Sequence, residues 1–247
     1  MAELLKTLLE PLEEINAYKT VAEDIEREKF PVHISGCIDT QKCHLIYGLS
    51  HSEHWRVIIA SNEIKAREIY DDYKLFDRDV LFYPAKDIIF FGADIQGSAI
   101  STERLKVVDA MLKNDSGTIV TTIDAGLDCI MDSQASKSSR FVIGETDIVN
   151  MDNLEKKLVD MGYERQTQVE KPGDFSVRGG ITDIFPITMD CPVRIEFFDN
   201  EVDTIRAFDV QSQRSIERMD KVEVTPAAEM TLSDEQLKAA LKKIEKE

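Results

Sequence analysis

The chain has 247 residues, 43% of them hydrophobic, which is enough apolar material for two domains of ordinary size. Its 47 acidic and 30 basic residues give a net charge of −17, and so acidic a chain repels DNA, since affinity for duplex comes largely from Lys and Arg. No apolar run reaches the roughly 18 residues of a membrane helix, and the amphipathic first residues are unlike a signal peptide, so we expect a cytoplasmic protein without a membrane partner.

Helices and continuously apolar strands alternate over the first part of the chain. Residues 1–28 are predicted to be helical with a kink at Pro11. The strands that follow are predicted in residues 30–36, 55–61, 79–85 and the start of 116–130, and the helices in 45–51, 62–76, 101–114 and the end of 116–130. This pattern is typical of a parallel sheet covered on both faces, so residues 1–140 are predicted to form an α/β domain.

A polar, serine-rich stretch at residues 134–140 indicates a domain boundary or an exposed connection. Beyond it the pattern changes to one helix and several strands, predicted in residues 141–149 (strand), 151–163 (helix), and 173–186, 192–209 and 221–227 (strands). Paired Gly179–Gly180 and Asp199–Asn200 predict a bulge or turns between strands. Residues 141–228 are therefore predicted to form a smaller α+β domain with an antiparallel sheet. Residues 229–247 are predicted to be a helix that continues into a longer protein.

The residues after the first predicted strand have the spacing of a phosphate-binding loop, G-x-x-x-x-G-K-[ST], with half of its defining side chains missing. The motif reads Gly36, then Gln41, Lys42 and Cys43. Gln41 crowds the backbone that should wrap phosphates, and Cys43 offers a soft thiol where a hydroxyl should bind magnesium. Asp39 adds a negative charge inside the loop. An ordinary strand–helix turn is the simpler interpretation, and we expect neither a bound nucleotide nor another cofactor.

No second catalytic or metal-binding pattern is present. Cys37, Cys43, Cys129 and Cys191 form no CxxC pair and no zinc-type ladder with histidine, so we expect reduced, mostly buried thiols. Neither GxSxG nor HExxH occurs.

Two motifs of the second predicted domain resemble a known family. Residues 173–186, GDFSVRGGITDIFP, and 193–217, VRIEFFDNEVDTIRAFDVQSQRSIE, are similar to the UvrB-like module of bacterial transcription-repair coupling factors and to domain 2 of the excision-repair helicase UvrB. The first domain resembles the same family through YPA at 83–85, ERL at 103–105 and IVTT at 119–122. The resemblance therefore covers nearly the whole chain.

The resemblance implies a helicase-like first domain, similar to UvrB domain 1a, with a degenerate phosphate loop. It implies a second domain that recruits UvrA, the damage-recognition ATPase, and a terminal helix that begins the return segment of the first domain. This chain would then be no enzyme. The full-length protein would be an ATP-dependent DNA translocase that contacts RNA polymerase and double-stranded DNA through domains absent here.

The resemblance also places the UvrA-binding residues at Arg165, Arg178, Phe185 and Arg194. Arg178 would reach a partner carboxylate, and Phe185 would be an apolar anchor at a strand end. The alternatives are a solvated strand face or an internal salt bridge for each arginine, and core packing for Phe185. Two other functions stay open: a nucleotide-dependent, helicase-type enzyme acting directly on DNA, and an autoinhibitory module that masks its own docking face.

Overall fold

The computed structural model describes residues 2–50, 54–86, 94–128 and 133–229. By its contacts the chain separates into two compact units: a first unit of Met1–Ala85 and Lys113–Asp128, and a second unit of Lys86–Leu112 and Cys129–Glu247. Residues 86–112 and 133–140, predicted within the first domain, thus group with the second unit. The predicted terminal helix lies outside the described residues except for Glu229.

The described elements confirm a mixed α/β protein with parallel and antiparallel sheets. In chain order they are α1 Ala2–Glu13, α2 Asn16–Glu26, α3 Asp39–Ser50, β1 Trp55–Ala60, α4 Glu63–Tyr73, β2 Val80–Tyr83, α5 Asp94–Lys113, β3 Gly117–Thr122, α6 Ile123–Leu127, α7 Ser133–Ser139, β4 Phe141–Gly144, α8 Met151–Asp160, β5 Glu164–Arg165, β6 Asp174–Arg178, β7 Ile181–Ile184, β8 Val193–Phe198, β9 Glu201–Phe208, β10 Ser215–Arg218 and β11 Lys221–Val224. Within these residues, no helix has the length and apolar character that crossing a bilayer requires.

The first unit is built on a parallel three-stranded sheet in the order β1-β3-β2. One face of this sheet packs on helices, with Ile58, Phe82 and Val120 in a core shared with residues of α3 and α4. Asn62 caps α4 by accepting a hydrogen bond from the backbone N–H of Lys65. The other face of β1 exposes Val57 and Ile59. The predicted coverage of both faces is therefore incomplete at β1 within the described residues.

Two predictions of local structure were wrong. Residues 30–36 form no strand, because Pro31 has no N–H to donate and the neighbouring Phe30 stays exposed instead of entering a core. Residues 86–100, where the sequence predicts a loop between the strand at 79–85 and the helix at 101–114, are helical from Asp94 onward. The serine-rich stretch forms α7, since serine disfavours a helix only modestly, and the domain boundary predicted there stays a prediction.

The second unit contains a six-stranded sheet in the order β10-β9-β8-β7-β6-β5, antiparallel except for the β5–β6 pair. One face packs on α8, whose Leu154 and Leu158 join Phe175, Ile184 and Ile195 of the strands in one core. Strands β4 and β11 form a separate antiparallel pair whose Ile143, Val222 and Val224 belong to the same core.

Two tight turns end the β6–β7 and β8–β9 hairpins at the same end of this sheet. Gly179 and Asp199, the first residues of the two turns, both have φ of +58°, the left-handed conformation that glycine and short polar residues tolerate. The predicted Asp199–Asn200 turn is therefore confirmed, and the Gly179–Gly180 pair forms a turn rather than a bulge.

Candidate functional site

The face of the six-stranded sheet opposite α8 carries a row of polar side chains. Residues directly opposite one another on neighbouring strands share a face of the sheet. Strand pairing lines up one residue from each of five strands, from β6 to β10: Ser176, Asp183, Arg194, Arg206 and Arg218. Arg178 lies two residues beyond Ser176 on β6, so its side chain lies on this face too. We call this surface the arginine face.

Asp183 is the centre of the arginine face. It is only 1% exposed, yet its carboxylate is a charged acceptor that needs partners at this depth. Arg194 supplies two, with Nε donating to Oδ1 at 2.7 Å and Nη2 donating to Oδ2 at 2.9 Å. Arg178 supplies a third, with Nη2 donating to Oδ2 at 2.6 Å. One buried carboxylate thus holds two guanidinium groups.

Arg194 and Arg178 differ in how far they reach solvent. Arg194 is mostly buried, lies 4.5 Å above the centre of the Phe208 ring, and donates a further hydrogen bond to Gln213 Oε1. Its hydrogen bonds to Asp183 raise the pKa of the Arg194 guanidinium above its ordinary value. The Arg178 side chain is 50% exposed. The buried Asp183 therefore orients Arg178, while half of the Arg178 side chain remains exposed to solvent.

Two further arginines extend the face toward β10. Arg218 donates two hydrogen bonds to Glu145, at 2.8 and 3.1 Å, and these bonds lower the pKa of the Glu145 carboxyl. Arg206 is half-buried, and its charge adds to the lowering of the Glu145 pKa. The arginine face thus gathers four arginines, Arg178, Arg194, Arg206 and Arg218, on a chain whose net charge is −17.

The four residues predicted for partner binding do not all lie together. Arg178 and Arg194 meet at Asp183. Arg165 lies opposite Phe175, on the face that α8 covers, and donates to Glu155 of α8. Phe185, predicted as an apolar anchor, is only 6% exposed, in accordance with the alternative of core packing. The structure therefore joins two of the four, and the assignment of partner contacts to any of them stays a prediction.

Sequence reasoning found Arg194 but missed Asp183 and the other two residues on this face of β8, Glu196 and Phe198. The signal was present, because Val193, Ile195 and Phe197 alternate with Arg194, Glu196 and Phe198 in the printed sequence. That period of two places the second set on the face away from the core.

The charged side chains in and beside the segment with phosphate-loop spacing form ion pairs with one another. Gly36 has φ of +84° and α3 begins at Asp39, so Gln41 and Lys42 lie in the first turn of a helix. Lys42 Nζ donates to Asp39 Oδ1 at 2.8 Å, and Lys65 Nζ donates to Asp39 Oδ2 at 3.0 Å. These bonds, that to Lys42 first, lower the pKa of Asp39 to about 2.

Cys43 lies apart from this cluster, in the core of the first unit. It is 1% exposed, and burial raises the pKa of its thiol. A buried neutral thiol is a poor ligand for magnesium. In the described ranges no group of three or more His, Cys, Asp or Glu side chains could hold a metal ion.

Comparison with known proteins gives a consistent result for both units. Residues 142–230 match the model of the UvrB interaction domain family. The transcription-repair-coupling factor of Bacillus subtilis (strain 168) is 36% identical over 190 residues, which are 76% of this chain and 16% of that protein. The transcription-repair-coupling factor of Staphylococcus epidermidis RP62A is 30% identical over 227 residues, 91% of this chain and 19% of that protein. This chain therefore spans less than a fifth of the length of these curated relatives.

Proposed function

This chain is a member of the transcription-repair-coupling factor family that carries a UvrB interaction domain, and from that membership we propose that it is a docking module for UvrA in transcription-coupled nucleotide excision repair. The observation that carries the proposal is the arginine face of the second unit, which lies inside the matched residues 142–230 and presents Arg178 held by a buried carboxylate.

The charge of this face supports a protein partner with carboxylates on its surface. An arginine oriented by a fixed hydrogen bond loses less conformational freedom on binding, so more of its interaction energy remains as affinity. Complementary charge also speeds the encounter and rejects partners of the wrong sign. Nucleic acid fits less well, because the acidic remainder of the chain repels a polyanion over distances of a Debye length.

We also propose that this chain hydrolyses no nucleotide. Asp39 holds both Lys42 and Lys65, so a triphosphate would have to displace a carboxylate from these two ammonium groups. Gln41 and the buried Cys43 supply neither the glycine nor the hydroxyl of a working phosphate loop. The full-length protein, by contrast, would be an ATP-dependent translocase whose RNA polymerase and DNA contacts lie in other domains.

Binding of purified UvrA to this chain, measured by biolayer interferometry, tests the docking proposal. Arg178→Glu is expected to abolish binding, because it reverses the charge that meets the partner, while the far-ultraviolet circular dichroism stays that of the wild type. Arg27→Glu is the matched control: Arg27 is the exposed arginine that follows α2, outside residues 142–230, and its guanidinium pairs with Glu23 one turn away. Wild-type affinity in Arg178→Glu would disprove the assignment of the site.

Isothermal titration with Mg-ATP tests the second part of the proposal. Helicase-type action of this chain on DNA requires a nucleotide site, so a dissociation constant in the micromolar range would restore that alternative. We expect no heat of binding with the wild-type chain. Titration of the Asp39→Ala variant distinguishes an inactive loop from one that is only blocked by its own carboxylate.

A further inference from the structure

Phe198 is a large apolar side chain exposed on the arginine face. It lies at the end of β8, directly before the Asp199–Asn200 turn, and is 79% exposed. Alternation along β8 places Phe198 on the same face as Arg194 and Glu196, while Phe197 between them packs against the core. A single exposed apolar residue is common on proteins, so its surroundings decide whether it carries meaning.

A second exposed apolar residue lies beside it. Phe198 pairs with Glu201 across the hairpin, and Glu201 forms an antiparallel bridge with Ile148 on its other side. Ile148 is 84% exposed. Since residues paired in this way share a face, Phe198 and Ile148 flank Glu201 on the arginine face. The loop holding Ile148 is fixed to β9 by backbone hydrogen bonds from Thr146 to Val202 and from Val149 to Asn200.

This apolar pair lies at the same end of the sheet as Arg178. Arg178 ends β6 before its turn, as Phe198 ends β8 before the equivalent turn. They are two strands and about two residues apart, which corresponds to roughly 12 Å between their Cα atoms. One partner of a standard protein interface contributes roughly 800 Å² of surface, and a patch of that area is wide enough to include two residues this far apart.

We propose that Phe198, with Ile148 beside it, is the apolar anchor of the arginine face and inserts into an apolar pocket on UvrA, beside the carboxylate that Arg178 meets. The inference rests on the proposed function and adds the residue that supplies its apolar contact. Aromatic and arginine side chains are the residue types that dominate binding energy at interfaces, and they act best when they lie together. The buried Phe185 lacks the exposure for this role, whereas Phe198 has it.

The test compares variants of the 247-residue chain for binding to purified UvrA. Phe198→Ala is expected to weaken binding about 30-fold, the loss typical of an aromatic hot spot, while Phe198→Trp keeps near wild-type affinity. Val159→Ala is the matched control: Val159 is a 53% exposed apolar residue of α8, on the other face of the sheet. Because both wild-type side chains are exposed, neither alanine variant is expected to change thermal unfolding.

A cross-linking measurement gives an independent readout. Replacing Phe198 by the photoreactive p-benzoylphenylalanine is expected to give a covalent adduct with UvrA on illumination, and the same replacement of Val159 is not. If the wild-type chain fails to bind UvrA, the proposed function and this inference fall together. If the wild type binds and Arg178→Glu does not, but Phe198→Ala binds as the wild type does, the docking proposal stands and the inference is overturned.

Discussion

Replacing Arg194 by alanine should destabilise the second unit far more than replacing Arg178. Arg194 donates two of the three arginine hydrogen bonds that Asp183 accepts, and Arg178 donates the third. In Arg194→Ala the carboxylate, 1% exposed, keeps one partner from a half-exposed side chain. Leaving a buried charge so poorly compensated costs about 2–4 kcal/mol, and lost packing of the guanidinium on Phe208 adds about 1 kcal/mol. In Arg178→Ala both Arg194 bonds remain, so we expect a loss of about 1 kcal/mol.

Native-state hydrogen exchange measures this difference in the second unit itself. The amide of Ile195 lies in a central strand of the six-stranded sheet and is expected to exchange only on extensive opening. Its free energy of opening should fall by about 3–5 kcal/mol in Arg194→Ala and by about 1 kcal/mol in Arg178→Ala. Equal losses in the two variants, or a loss below about 1 kcal/mol in Arg194→Ala, would refute the view that Asp183 depends mainly on Arg194.

The double variant Asp183→Asn/Arg194→Met separates loss of partners from loss of packing. It removes the charge and its main partner together, so no buried carboxylate is left uncompensated. Because replacing both members of a buried pair is often nearly neutral, the double variant should be more stable than Arg194→Ala by roughly 1–3 kcal/mol. A double variant less stable than Arg194→Ala would contradict the electrostatic reasoning.

Two other predictions concern the ionisation of one side chain and the backbone of another. Lys42 and Lys65 lower the pKa of the Asp39 carboxyl to about 2. The ionised carboxylate therefore stabilises the folded state at pH values above its ordinary pKa, and this stabilisation is lost as the pH falls toward 2. Carbon-13 NMR should follow the titration, and the double variant Lys42→Met/Lys65→Met should return the pKa to about 3.8. Gly162→Ala should lower the free energy of unfolding by about 3 kcal/mol, because φ is +88° and the added Cβ would lie 2.5 Å from the Ala228 Cβ. Gly173→Ala should lower it by only about 1 kcal/mol, because φ is +92° but the nearest atom to the added Cβ lies 3.6 Å away. Urea denaturation measures both losses.

The strands that were predicted well are those whose own residues decide their structure. Strands β1, β2 and β3 are rich in β-branched and aromatic residues, so their own propensity indicates strands. Residues 30–36 also contain the β-branched Val32 and Ile34, but Pro31 removes a backbone donor, and a strand further needs a neighbour to accept its hydrogen bonds. The first of these factors can be read from the sequence, whereas the second depends on residues far along the chain.

The faces of the second sheet show where the period of two is misleading. Along residues 175–181 a continuous period would put Phe175, Val177 and Ile181 on one face. The Gly179–Gly180 turn instead pairs Arg178 with Ile181, so Ile181 lies on the arginine face while Phe175 and Val177 face the core. After a two-residue turn, odd-numbered residues of the second strand lie on the face that even-numbered residues occupy in the first. Predicting the arginine face therefore required the turn length as well as the alternation.

The pairing at Asp183 makes more sense as a device for orientation than as one for stability. Burying a carboxylate with two guanidinium groups gains little over an apolar trio of similar volume, because desolvation offsets most of the attraction. What an apolar trio would not provide is a guanidinium fixed at the surface. Arg178 receives its orientation from Asp183, Asp183 is held by Arg194, and Arg194 is held by Phe208 and Gln213. Arg194→Lys cannot donate two hydrogen bonds to the two carboxylate oxygens of Asp183 as Arg194 does. This substitution should therefore weaken UvrA binding by disturbing the orientation of Arg178, even though Arg194 itself does not contact UvrA. Combined with Arg178→Ala, the Lys substitution should then have little further effect, and additive losses would show that the two arginines act separately.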